Sequence, residues 1–86
     1  MSFTVIWTKF AESDLADIWL RAVNRREIAE ATSKLDAVLK SDPHNSGESR
    51  TGNVRITFSG PLGIHFEVLA ADRIVYVLAV WRIDHN

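Results

Sequence analysis

Eight consecutive residues near the C-terminus, Ile74 to Trp81, are apolar at every position. The run is too short for a membrane helix, which needs about 20 residues, and its Ile, Val, Tyr and Trp content favours a strand. A strand without a polar face is covered on both faces or lies near the middle of a sheet. The rest of the chain must therefore supply it with neighbours.

Two flanking candidates precede it. Val54, Ile56 and Phe58 alternate with Arg55, Thr57 and Ser59, and Gly60-Pro61 turns the chain. Leu62, Ile64, Phe66 and Val68 then alternate with Gly63, His65 and Glu67, and Ala71-Asp72-Arg73 turns it again. These segments read as a three-stranded meander. At the other end, Phe3–Trp7 is β-branched and aromatic and reads as a fourth strand. The bare edge of the all-apolar strand is its natural place, parallel to it. The expected sheet order is first strand, last strand, middle strand, Arg55 strand.

Between the first strand and the meander, Ala11, Leu15, Ile18, Trp19 and Ala22 mark one face of a helix capped by Thr8. Asn24, with Glu27 three residues on, has the spacing of a capping box. A second stripe follows at Ile28, Ala31, Leu35, Val38 and Leu39. Asp42-Pro43 ends it, because the residue before proline is driven out of the helical region. Residues 40–53 read as a long polar loop. The fold class is thus α+β: a two-layer β-α-α-β-β-β arrangement, with a mostly antiparallel four-stranded sheet and a helical hairpin on one face. The hairpin serves as the crossover between parallel strands. The 86 residues make one domain, 1–86. The expected core is Leu15, Ile18, Trp19, Ile28, Leu35, Leu39, Ile56, Phe58, Ile64, Phe66 and Val77.

Composition narrows the function classes. With 47% hydrophobic and 24% charged residues the chain reads as globular. It has no cysteine, which excludes thiol catalysis, thiolate metal sites and disulfides and favours the cytoplasm. The N-terminal decapeptide lacks the pattern of a secretory leader. A net charge of −1 lacks the basic balance of most nucleic-acid binders, so any anion site has to be local.

If Val54, Ile56 and Phe58 join Leu62, Ile64, Phe66 and Val68 under the helices, the open sheet face carries Arg55, Thr57, Ser59, Gly63, His65 and Glu67. Such a face is either a solvated sheet surface or a shallow site. In the second case Arg55 holds a phosphate or carboxylate, His65 moves a proton and Glu67 orients it. Other patterns carry less. Gly47 to Gly52 has the glycine spacing of a P-loop, but lacks the Lys-Ser/Thr and precedes a strand. His44, His65 and His85 have no metal-ligand spacing, so neither a metal nor a cofactor is expected. Ser46 and Ser49 lie in the loop without a nearby base. Trp7, Trp19 and Trp81 read first as core or rim, and Arg50 as a turn residue able to reach an anion.

In order and spacing, these pieces resemble the RelE/ParE superfamily of toxins from type II toxin–antitoxin systems. The carrying residues are "FTVIWTKFAESDLADIW", then "RI" at Arg55-Ile56, "PLGIHFEV" from Pro61 and "DRIVYVLAV" from Asp72. The resemblance spans nearly the whole chain. It implies a cytoplasmic, plasmid-stabilisation-type toxin neutralised by a cognate antitoxin, with homodimerisation a further option and no membrane. It leaves the activity open. One reading is a ribosome-dependent mRNA endonuclease (mRNA interferase), with Arg55, His65, Arg82 and His85 catalytic and Arg50, Glu67 and Trp81 binding substrate. Another is a ParE-like toxin that binds DNA gyrase without catalysis. A third is a remnant that only binds its antitoxin. Arg55 matches the family's arginine after the long loop. The arginine that the nucleases show early in the next strand falls at Gly63, and their tyrosine at Phe66. No tyrosine follows in "WRIDHN". The histidine role is an inference from chemistry, not a family match.

Overall fold

The computed structural model describes residues 2–83. Strand β1 (Thr4–Trp7) leads into helices α1 (Lys9–Arg21) and α2 (Arg25–Ser41). A single 3-10 turn (Pro43–Asn45) and a two-residue strand β2 (Glu48–Ser49) follow, then β3 (Val54–Ser59), β4 (Leu62–Leu69) and β5 (Ile74–Arg82).

The sheet order is β1-β5-β4-β3-β2. β5 is interior, with β1 parallel on one side and β4 antiparallel on the other. The order expected for the four long strands is the one found. The 40–53 loop is less irregular than expected, because Glu48 and Ser49 pair with Ile56 and Arg55 and add a fifth strand.

Local chemistry explains the helix ends. The Thr8 hydroxyl accepts from the Ala11 amide at 3.2 Å and donates to the Val77 carbonyl at 2.7 Å, joining the start of α1 to β5. Asn24 Oδ1 accepts from the Glu27 amide at 3.2 Å. α2 ends at Ser41, ahead of Asp42-Pro43. β1 stops at Trp7, opposite Val77. Beyond that point Asp14 of α1 accepts the Val80 amide at 3.2 Å, so the helix takes over where the edge strand ends.

The core lies between the helices and one sheet face. Ile28, Ala31, Leu35 and Leu39 of α2 and Ala11 of α1 meet Leu62, Ile64, Phe66 and Val68 of β4 and Val75, Val77 and Val80 of β5. Val77 and Val80 reach the same face because the pairing passes from Ala79 (opposite His65) to Val77 (opposite Phe66), leaving Leu78 as the extra residue of a bulge. Leu15 and Ile18 are half-buried against this cluster.

Three expected core residues, Trp19, Phe58 and Ile56, are not in it. Trp19 is 39% exposed on the flank of α1, with the Arg25 guanidinium 5.9 Å above its ring. Phe58 is 58% exposed. Its place follows from the phase of β3. The turn between β3 and β4 has two residues, Gly60 and Pro61, so Ser59 pairs with Leu62, Phe58 with Gly63 and Ile56 with His65. Residues directly opposite in an antiparallel pair share a face. The apolar side of β3 therefore lies with Gly63, His65 and Glu67, not with Leu62, Ile64 and Phe66. Ile56 is buried, at 9% exposure, yet lies outside the main core cluster, as this placement requires.

Leu35 is 2% exposed at the centre of the helix–sheet interface. Leu35→Ala is expected to cost about 2–5 kcal/mol of unfolding free energy. Phe58→Ala, on the exposed face, is expected to cost far less. Urea denaturation of both variants checks the assignment.

Candidate functional site

The face away from the helices is built in rows across the strands. Phe58, Gly63 and Trp81 form one row. Glu48, Ile56, His65 and Ala79 form the next. Val54, Glu67, Tyr76 and Ile6 form the third. This face is mainly apolar and aromatic, against the polar face expected from the sequence.

Trp81 is its centre. A side chain at position 63 would begin 2.6 Å from the indole Cε2 and 2.7 Å from Cζ2 and Nε1. The indole therefore lies directly on the Gly63 backbone. Its edges meet Phe58 (centroids 6.2 Å apart, planes at 83°) and His65 (5.2 Å, 69°). Both are edge-to-face arrangements favoured by the ring quadrupoles. Gly63 is thus a seat for a neighbouring ring.

The sequence-derived site residues do not converge. Arg55 lies opposite Phe66, on the helix side of the sheet. Its Nε donates to the Ser46 carbonyl at 3.0 Å and its Nη2 to the Gly47 carbonyl at 2.9 Å. The guanidinium thereby fastens the turn before β2. Gly47 itself, at φ +69°, tolerates no side chain, since a Cβ would collide with the Ile56 carbonyl oxygen. Arg82 lies opposite Leu62, likewise on the helix side. It lines a groove of about 490 Å³ with Asp17, Ile18, Arg21 and Val23. His65 and Glu67 share the open face, with Cα atoms about 6.6 Å apart along the strand, and the ring of His65 meets Trp81 rather than a carboxylate. Arg50 is 3.4 Å from Glu48, in an ion pair at the β2 edge. His85 lies outside the described residues.

The composition of this face has a signal in the sequence that alternation alone does not use: the two-residue Gly60-Pro61 turn dictates which β3 residues stand beside His65. The structural role of Asp14 has no comparable signal, because a helix-face carboxylate gives no hint of the strand amide that it will meet.

No protein-family model matches the chain, and no curated protein matches it significantly in sequence. Solved structures do match in shape. A chain of the toxin–antitoxin complex RelBE2 from Mycobacterium tuberculosis superposes with a TM-score of 0.77 at 19% identity, covering 95% of this chain and 92% of that one. A chain of the chromosomal ParDE system from P. aeruginosa gives 0.69 at 17% identity, covering 95% and 97%. The isolated E. coli RelE toxin gives 0.70 at 14% identity, covering 98% and 87%.

Two outcomes are expected from the site geometry. Gly63→Ala should displace the indole and cost about 1–3 kcal/mol by overpacking, and most of that cost should vanish in a Trp81→Ala background. Denaturation of the four-member cycle, with near-ultraviolet circular dichroism of the indole, measures both. Arg55→Ala should cost about 1–3 kcal/mol, because two loop carbonyls lose a charged donor, with faster amide exchange over residues 46–49 as its signature. The matches above establish the architecture: this chain has the fold of the RelE- and ParE-type toxins.

Proposed function

We propose that the chain is the growth-arresting member of a cytoplasmic toxin–antitoxin pair, and that it acts by binding a protein rather than by cutting RNA. The toxin role is supported by the shared fold over nearly the full length of toxins from three systems. The mode of action is supported by one observation: Arg55 and Arg82 lie on the opposite side of the sheet from His65.

Cleaving RNA through its 2′-hydroxyl requires a base, an acid and a cation for the phosphate around one point. Here the imidazole stands edge-to-face with the Trp81 indole, and the cation of Arg55 is committed to loop carbonyls. Gly63, where the resemblance implies a further arginine in the nucleases, lies under the Trp81 indole. A ParE-like action on DNA gyrase fits this surface better than mRNA cleavage on the ribosome. An antitoxin supplied by a neighbouring reading frame completes the pair.

Inducible expression tests the reading. Growth should stop, and co-expression of the neighbouring frame's product should restore it. His65→Ala should arrest growth as well as the parent chain does, and mapped mRNA 5′ ends should show no new cuts. Absence of arrest overturns the toxin role. Arrest that is lost in folded His65→Ala and accompanied by new mRNA ends overturns the binding mode.

A further inference from the structure

Glu67 is the feature of the open face that the fold does not use. It stands half-buried on β4, between Val54 of β3 and Tyr76 of β5. Directly opposite residues of neighbouring strands have Cβ atoms about 5 Å apart, so apolar and aromatic groups flank its carboxylate on both sides. None of the ion pairs among the described residues involves it. The other carboxylate in these rows, Glu48, is already paired with Arg50. Among the described residues, the uncompensated charge in these rows is therefore negative. Beyond His65 along the same strand, Trp81 covers Gly63, and Phe58 stands 58% exposed beside it.

We propose that this face docks a basic protein segment: an Arg or Lys side chain placed against Glu67 and Tyr76, with a neighbouring apolar residue seated on Phe58 and Trp81. The charge decides the class of partner. A polyanion such as RNA meets an acid here, with Arg55 and Arg82 turned to the other side, whereas a cation gains both the carboxylate and an aromatic face. The aromatic pair supplies the large, well-packed anchor on which protein interfaces concentrate their affinity. Glu67 then sets the sign and register of what binds. The proposal rests on the protein-binding reading above and specifies its surface and partner chemistry.

The test uses the full ¹⁵N-labelled chain and defined probes at about 0.15 M salt, where exposed charges are screened. The probes are acetyl-Leu-Arg-Trp-Arg-Leu-amide, the same peptide with Glu for Arg and with Gln for Arg, and an oligouridine. The basic peptide should bind about 5- to 10-fold more tightly than the acidic one, moving amide resonances of residues 54–58, 63–67 and 74–81. Glu67→Gln should bring the two peptides to within about two-fold of each other, and Glu67→Lys should reverse the preference. The comparison of the three peptides on the unaltered chain does not depend on any variant folding. Equal binding of the peptides, shifts confined to the helices, or tighter binding of oligouridine on this face overturns the proposal. So does concentration-dependent self-association seated on these residues, which would make a second copy the occupant. Growth arrest is scored separately, so failure of the toxin role and failure of this surface are distinguishable.

Discussion

The arrangement of surfaces depends on a two-residue turn. Gly60, at φ +54°, and Pro61 join β3 to β4 with no residue to spare. Hairpin turns of this length take glycine at the first central position because it needs a positive φ. A loop of even length gives paired residues an odd sum, so even-numbered side chains of β3 share a face with odd-numbered ones of β4. β4 places Leu62, Ile64, Phe66 and Val68 under the helices, and β3 has no freedom left. Its apolar side must look outward, and Arg55, Thr57 and Ser59 must look toward α2. A slip of one residue would exchange every one of these assignments.

The outward apolar side explains the Gly63–Trp81 contact. With Phe58 on one flank and His65 along the strand, an indole at position 81 can be partly covered only by lying flat on the strand beneath it. A side chain at 63 would forbid that. Glycine in a strand normally weakens it, but here the ring restores the lost contact by covering the exposed backbone, as aromatic neighbours do for strand glycines elsewhere. One register thus sets both the packing of the indole and the apolar character of the open face.

Much of this is legible in the sequence, and the departures have specific causes. The helix starts at Thr8 and Asn24 and the stop at Asp42-Pro43 are readable because capping is local chemistry. The interior place of β5 follows from its unbroken apolar run, Ile74 to Trp81. The face of β3 differs from expectation because alternation within a strand carries no information about phase between strands; only the turn length does. Trp19 falls outside the core because a helical stripe has a width, and Trp19 sits at its edge beside the better-buried Leu15 and Ile18. The expected Arg55–His65–Glu67 grouping falls with the β3 phase. Arg82 is out of reach because the bulge at Leu78 inserts an extra residue and moves every side chain beyond it to the other face.

The two layers leave a third unbuilt. A sheet with helices on one face buries its other face only if something else covers it. In this chain that face carries Ile6, Ile56, Phe58, Tyr76 and Trp81, where an antiparallel sheet open to water normally alternates toward polar residues. α1 repeats the theme on its own outer side, where Phe10, Trp19 and Leu20 are exposed. A domain of this size has little burial to forgo. Apolar surface left on both outer sides is stability that the isolated chain does not collect and that binding can. The turn at Gly60-Pro61 therefore decides which apolar residues serve the core and which stay on the outer face.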